Sequence, residues 1–234
     1  MFPEGERFFI HSVRHYQKSI SDPAMTADIK GFIGQEAHHG RCHDDLNEAI
    51  ERLGIPMSLV TDNMDKRINM LKTRLGPERQ LALTVAMEHF TASLAEFLLE
   101  NPEVFDQAPE VLRQMLLWHA VEEIEHKSVA FDIYRLKVNK EWMRRRVMVI
   151  AMITLFSRIA FFQMRMLWKT KHMPSLKEWA GATRFFWGKK GILRANVKGV
   201  RKFFQRDFHP NDIDQSALID GWEKRYPEIA AQEA

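Results

Sequence analysis

His119, Glu123 and His126, in the run LLWHAVEEIEHKSVAFD, have the types and spacing of metal ligands. Positions i, i+4 and i+7 fall on one stripe of a helix, so one carboxylate and two imidazoles would face the same way. Upstream, GFIGQEAHHGRCHDD carries Glu36 and His39, a second Glu-x-x-His beside Glu123 and His126. A single pair of this kind is more often a surface ion-pair face. Two pairs on two helices, each joined by a glutamate from a further helix, are the ligand set of a two-metal centre inside a helix bundle.

Four helices must then bring these residues to one level. Helical periodicity dominates the chain, and no stretch alternates as a strand. Helices are expected over 4–20, 25–53 and 78–100, with a fourth from Pro109 to about Lys137 and a short amphipathic one over 62–75. Ser21-Asp22-Pro23, Gly54 with Pro56, Gly76-Pro77 and Asn101-Pro102 punctuate them. Short turns make two antiparallel hairpins, and the longer connection over 54–77 is the crossover of a ferritin-like bundle. The fold class is therefore all-α: a ferritin-like four-helix bundle over 1–140, with a basic, aromatic-rich helical extension over 141–234.

Counting outward from the turns selects the remaining ligands. Glu6 lies about 15 residues before the turn at 21–22, and Glu36 about as far after it. Glu88 lies about 16 residues before the turn near 104, and His119 and Glu123 follow it by 15 to 19. The expected metal ligands are thus Glu6, Glu36, His39, Glu88, His119, Glu123 and His126, with Glu36, Glu88 and Glu123 as the bridging, catalytic carboxylates. Four carboxylates offset two divalent cations in a dry interior, and imidazole suits iron. Glu4, close to Glu6, is the competing choice at the N-terminus. His43, one turn beyond His39, Glu122 and Asp132 are expected to support the ligands, as is Asp44, while His89 points about 100° from Glu88, toward a supporting position or the surface. His11, His15 and His38 read as surface or packing residues.

In this order the ligands resemble the di-iron arylamine N-oxygenases of the p-aminobenzoate type, where a third histidine sits four residues before the last glutamate, as His119 does here. More closely, FPEGERFF, QEAHHGRCHDDLN, EHFTA, HAVEEIEHKSVAFD and FHPND resemble a bacterial family described as predicted metal-dependent hydrolases, over nearly the whole chain. The first resemblance implies a non-haem di-iron oxidoreductase with O2 as co-substrate, an external electron donor and a small organic substrate. Iron is the expected metal, with manganese or a mixed pair as the alternative. A hydrolase would instead use the two metals to activate water. There is no G-x-S-x-G motif and no candidate catalytic cysteine to support it. A non-catalytic metal-binding ferritin-like protein is the third reading.

Composition bounds the setting. Cys42 alone excludes a disulfide framework and a cysteine-based zinc or iron–sulfur site. It fits a reducing, cytoplasmic compartment, and MFPEGERFF does not resemble a secretory signal. Residues 1–140 carry 16 Lys and Arg against 22 Asp and Glu, whereas 144–206 carry 16 against Glu178 alone. That basic block, rich in Trp and Phe, is expected either to pack as a fifth helix with solvated cations or to lie peripherally on an anionic inner-membrane face. Its apolar run 147–156 is too short to cross a bilayer. Nucleic acid is the weaker partner, and a homodimer is a further expectation.

Overall fold

The computed structural model describes residues 2–189 and 191–233, and among them every regular element is helical. The α-helices are α1 (Phe2–Gln17), α2 (Pro23–Arg52), α3 (Ser58–Arg74), α4 (Pro77–Glu100), α5 (Glu110–Glu125), α6 (Val129–Lys137), α7 (Glu141–Lys169), α8 (Leu176–Trp187), α9 (Ile192–Phe203), α10 (Ser216–Arg225) and α11 (Pro227–Glu233). The chain divides into two compact units: 1–87 with 132–182, and 88–131 with 183–234.

In the first unit, α1 and α2 form the expected antiparallel hairpin. Asp22 caps α2 by accepting from the Met25 amide at 2.8 Å, and Pro23 supplies the preset φ of a first helical residue. Beyond the other end, Gly54 adopts φ +86°, which an L side chain rarely tolerates. Phe8, Val13, Ile29, Phe32, Leu81, Val85, Ile133, Tyr134 and Met148 are all buried and supply the apolar interior. Ser12 and Thr84, 2.7 Å apart, tie α1 to the start of α4. Lys137 donates to the Ser19 carbonyl and Lys140 to Glu78, both at 2.6 Å, fixing the corner between α6 and α7.

The second unit packs α10 on α5, around Ala95, Ala120 and Ile124 with Leu99, Leu218 and Ile219. Phe203 and Phe208 close on His89, with ring centroids 5.1 and 5.0 Å away.

One expected helix is two. The segment 109–137 breaks at 126–128, although it contains neither Pro nor Gly there. The break coincides with a buried cation: Lys127 turns inward and donates to the Ile213 carbonyl at 2.7 Å and to Gln215 Oε1 at 2.6 Å. Gln215 in turn donates to Glu96. A lysine is read from sequence as solvent-facing, so this break has no local signal.

The apolar run 147–156 belongs to a continuous 29-residue helix, α7. By length and composition, α4 and α7 are both long and apolar enough to cross a membrane; α4 is largely buried within the fold, whereas α7 is not.

Removing the α2 cap should loosen the hairpin that carries Glu6 and Glu36. Asp22→Ala is expected to lower unfolding free energy by about 1 kcal/mol, measured by urea denaturation. An unchanged midpoint would show that the cap contributes nothing.

Candidate metal centre

Each unit buries carboxylates beside imidazoles. In the first, the approach of α1 to α2 sets Glu6 Oε1 3.4 Å from His43 Nε2. Phe2 stacks on the His43 ring at 4.9 Å, and a side chain at Gly40 would stand 3.4 Å from Glu6 Oε2. The Glu6 carboxylate thus lies against α2 in ordinary contact distance of that position. One turn back along α2, His39 Nδ1 lies 3.9 Å from Glu36 Oε1, both side chains fully enclosed.

In the second unit, His126 Nδ1 donates to Glu88 Oε2 at 3.0 Å, and His119 Nε2 lies 3.1 Å from Glu123 Oε1. His126 holds its place on the stripe although α5 ends at Glu125, because its amide still donates to the Glu122 carbonyl at 3.1 Å. The other Glu88 oxygen, Oε1, is buried without a hydrogen-bond donor among the described residues.

These four spacings fit metal ligation. Two donors each about 2.1 Å from one ion stand about 3 Å apart at a right angle and about 4 Å apart on opposite sides. The four pairs span 3.0 to 3.9 Å. Oxygen and imidazole nitrogen together suit iron, manganese or zinc.

All seven expected ligands are therefore buried or nearly so, His119 being the most accessible. His43, expected as a supporting residue, is buried and stands beside Glu6. The signal was its one-turn spacing from His39. Counting from the turn set Glu6 level with Glu36, but its carboxylate meets α2 one to two turns further on, at Gly40 and His43. Glu4 is as buried as Glu6, so burial alone does not separate them; the His43 contact favours Glu6.

The supporting candidates divide. Glu122 is buried and its charge acts on His126. Asp132 is half-buried at the start of α6. Asp44 forms an exposed ion pair with Arg7 instead. His89 is neither a ligand nor a surface residue: it is buried among aromatic rings, with Nε2 2.9 Å from the Gly199 carbonyl. His11, His15 and His38 are exposed as expected. His209 caps a short turn at Pro210–Asp212, its ring accepting from the Asn211 amide.

Burial raises the Glu88 carboxyl to about 7, against the lowering influence of His126. Burial lowers the His126 imidazole, but Glu88, with Glu123 and Glu122, more than reverses this and brings it to about 9. The pair thus holds protons that a metal ion would displace.

A helical chain with buried carboxylate–imidazole groups that could hold metal ions is, by class, a metal-binding helical protein. The chain belongs to the family of predicted metal-dependent hydrolases, whose model matches residues 1–214. No curated protein and no solved structure matches it.

The two raised values have a consequence for stability. From an ordinary carboxyl value of 4.5 up to about 9, the folded metal-free chain binds more protons at Glu88 and His126 than the unfolded one. Their contribution therefore favours the fold at low pH and is lost as pH rises through that window. The urea midpoint of metal-free protein is expected to be lower at about pH 9 than at about pH 6, with the slope flattened in Glu88→Gln. Identical pH profiles for the two proteins would contradict this account of the pair.

Proposed function

We propose that the chain is a metal-dependent hydrolase whose carboxylate–imidazole pairs hold two divalent ions. The observation that carries the reading is membership of the hydrolase family together with four buried donor pairs at ligand spacing. Glu6 with His43 and Glu36 with His39 would supply ligands from the first unit, and Glu123 with His119 and Glu88 with His126 from the second. Glu88 would join them through its free oxygen or orient His126 through the bond it already makes. When bound, such ions act as Lewis acids and lower the pKa of water.

The chain's own residues then have defined tasks. The glutamates neutralise the cations and set their spacing. The apolar side chains of Trp118 and Ile124 exclude bulk water around α5, strengthening every charge interaction inside.

The same ligands support an oxidoreductase reading, in which O2 is the co-substrate and iron the metal. One observation favours it: His119, the extra imidazole that distinguishes the N-oxygenase order, is partnered with Glu123 at 3.1 Å.

Metal analysis and turnover separate the two readings. The purified chain, loaded anaerobically with iron, manganese or zinc, is expected to retain two ions, and Glu123→Ala about half as much metal. Hydrolysis of chromogenic carboxylic or phosphoric esters without O2 uptake supports the hydrolase. O2 uptake with an added reductant and no ester turnover supports the oxidoreductase instead. Full retention of two ions by Glu123→Ala would refute the ligand assignment.

A further inference from the structure

We infer that α7 lies along the surface of an anionic lipid bilayer and attaches the protein to it. The observation is a continuous stripe. Trp142, Val149, Ile150, Ile153, Phe161, Met164 and Trp168 are all exposed, with Ile153 at 66% and Trp168 at 76%. Their helical spacing places them on one side of the helix, about 39 Å from first to last at 1.5 Å per residue. Only Arg146 and Ser157 interrupt the stripe with polar groups. Single exposed apolar residues need no explanation, but a run of seven on one face does.

The opposite side decides how the helix meets lipid. Arg144, Met148, Ala151 and Phe162 are buried, and they fall on the far face of the same helix. A spanning helix would have to leave these partners and take Arg144 into hydrocarbon, at high cost. A helix lying in the interface keeps them. Its exposed half then enters the boundary between headgroups and acyl chains, where Trp is favoured.

Charge specifies the kind of bilayer. Arg165 flanks the stripe, over the Phe161 ring at 5.9 Å, and Arg158 lies at its edge, donating to Asn63. Lys169 and Lys171 follow at its end. Cations with apolar stems beside an aromatic stripe suit phosphate headgroups, whereas a second copy of this chain would bring the same positive charge against itself. Phe161, Met164, Arg165, Trp168 and Met173 line an open, almost wholly apolar cleft at that end.

The test is co-sedimentation of the full chain with vesicles of phosphatidylcholine alone and of phosphatidylcholine with phosphatidylglycerol, at low and high salt. Binding is expected to the anionic vesicles, to weaken with salt, and to fall about tenfold or more in Ile153→Glu and in Phe161→Glu. Both sites are exposed, so circular dichroism should be unchanged. Three results would overturn the inference: no binding to anionic vesicles, equal binding to both kinds, or binding unaffected by either substitution. Sedimentation equilibrium covers the competing occupant. Self-association lost in the same variants, without vesicle binding, would assign the face to a second copy.

Discussion

A carboxylate or imidazole taken out of water must be met by an opposite charge, a shared proton or a metal ion, because in an apolar interior its desolvation is otherwise prohibitive. This constraint governs the chain from Glu6 to His126. Among the buried carboxylates, Glu6, Glu36, Glu88 and Glu123 each have an imidazole at 3.0 to 3.9 Å. The pairing has a direct effect on protonation. Glu88 is raised by burial toward neutrality, and His126 is raised beyond its usual range by the carboxylates around it. A proton shared in this way keeps the metal-free interior tolerable and is released when a cation takes its place.

The helices serve that arrangement through spacing and through small adjustments of the backbone. Three-residue and four-residue steps put Glu36 with His39 and His119 with Glu123. Between α1 and α2 the Glu6 carboxylate lies against α2 beside Gly40 and His43. At the end of α5 the device is electrostatic. The inward Lys127, held by the Ile213 carbonyl and Gln215, fixes the turn that follows His126. The device concerns the residue next to a donor rather than the donor itself.

The basic part of the chain follows a different logic. Helix α7 buries one face with Arg144, Met148 and Phe162 and leaves the other apolar and exposed. Mean hydropathy does not separate such a helix from a membrane span, and α4 passes the same test while lying largely buried. What separates them is which atoms already have neighbours. Hydrophobicity averaged along a helix cannot report that, since it sums over both faces.

Much of this was legible in the residues. Periodicity and punctuation placed the helical segments, because Pro and Gly act on the backbone locally. The two Glu-x-x-His pairs, with Glu6, Glu88 and His119, identified the candidate ligands, because helical spacing alone decides which side chains share a stripe. Family membership was legible for the same reason, in the motifs around those ligands. Tertiary structure decided the rest. It set His43 beside Glu6, since a contact across two packed helices depends on their register. It moved Asp44 to a surface ion pair and His89 into an aromatic core, since exposure belongs to the packed chain and not to the residue. It broke the helix after His126 by burying a lysine that no local rule would turn inward. Spacing within a helix is a local property and can be read from sequence, whereas partners across helices depend on packing that no single segment encodes.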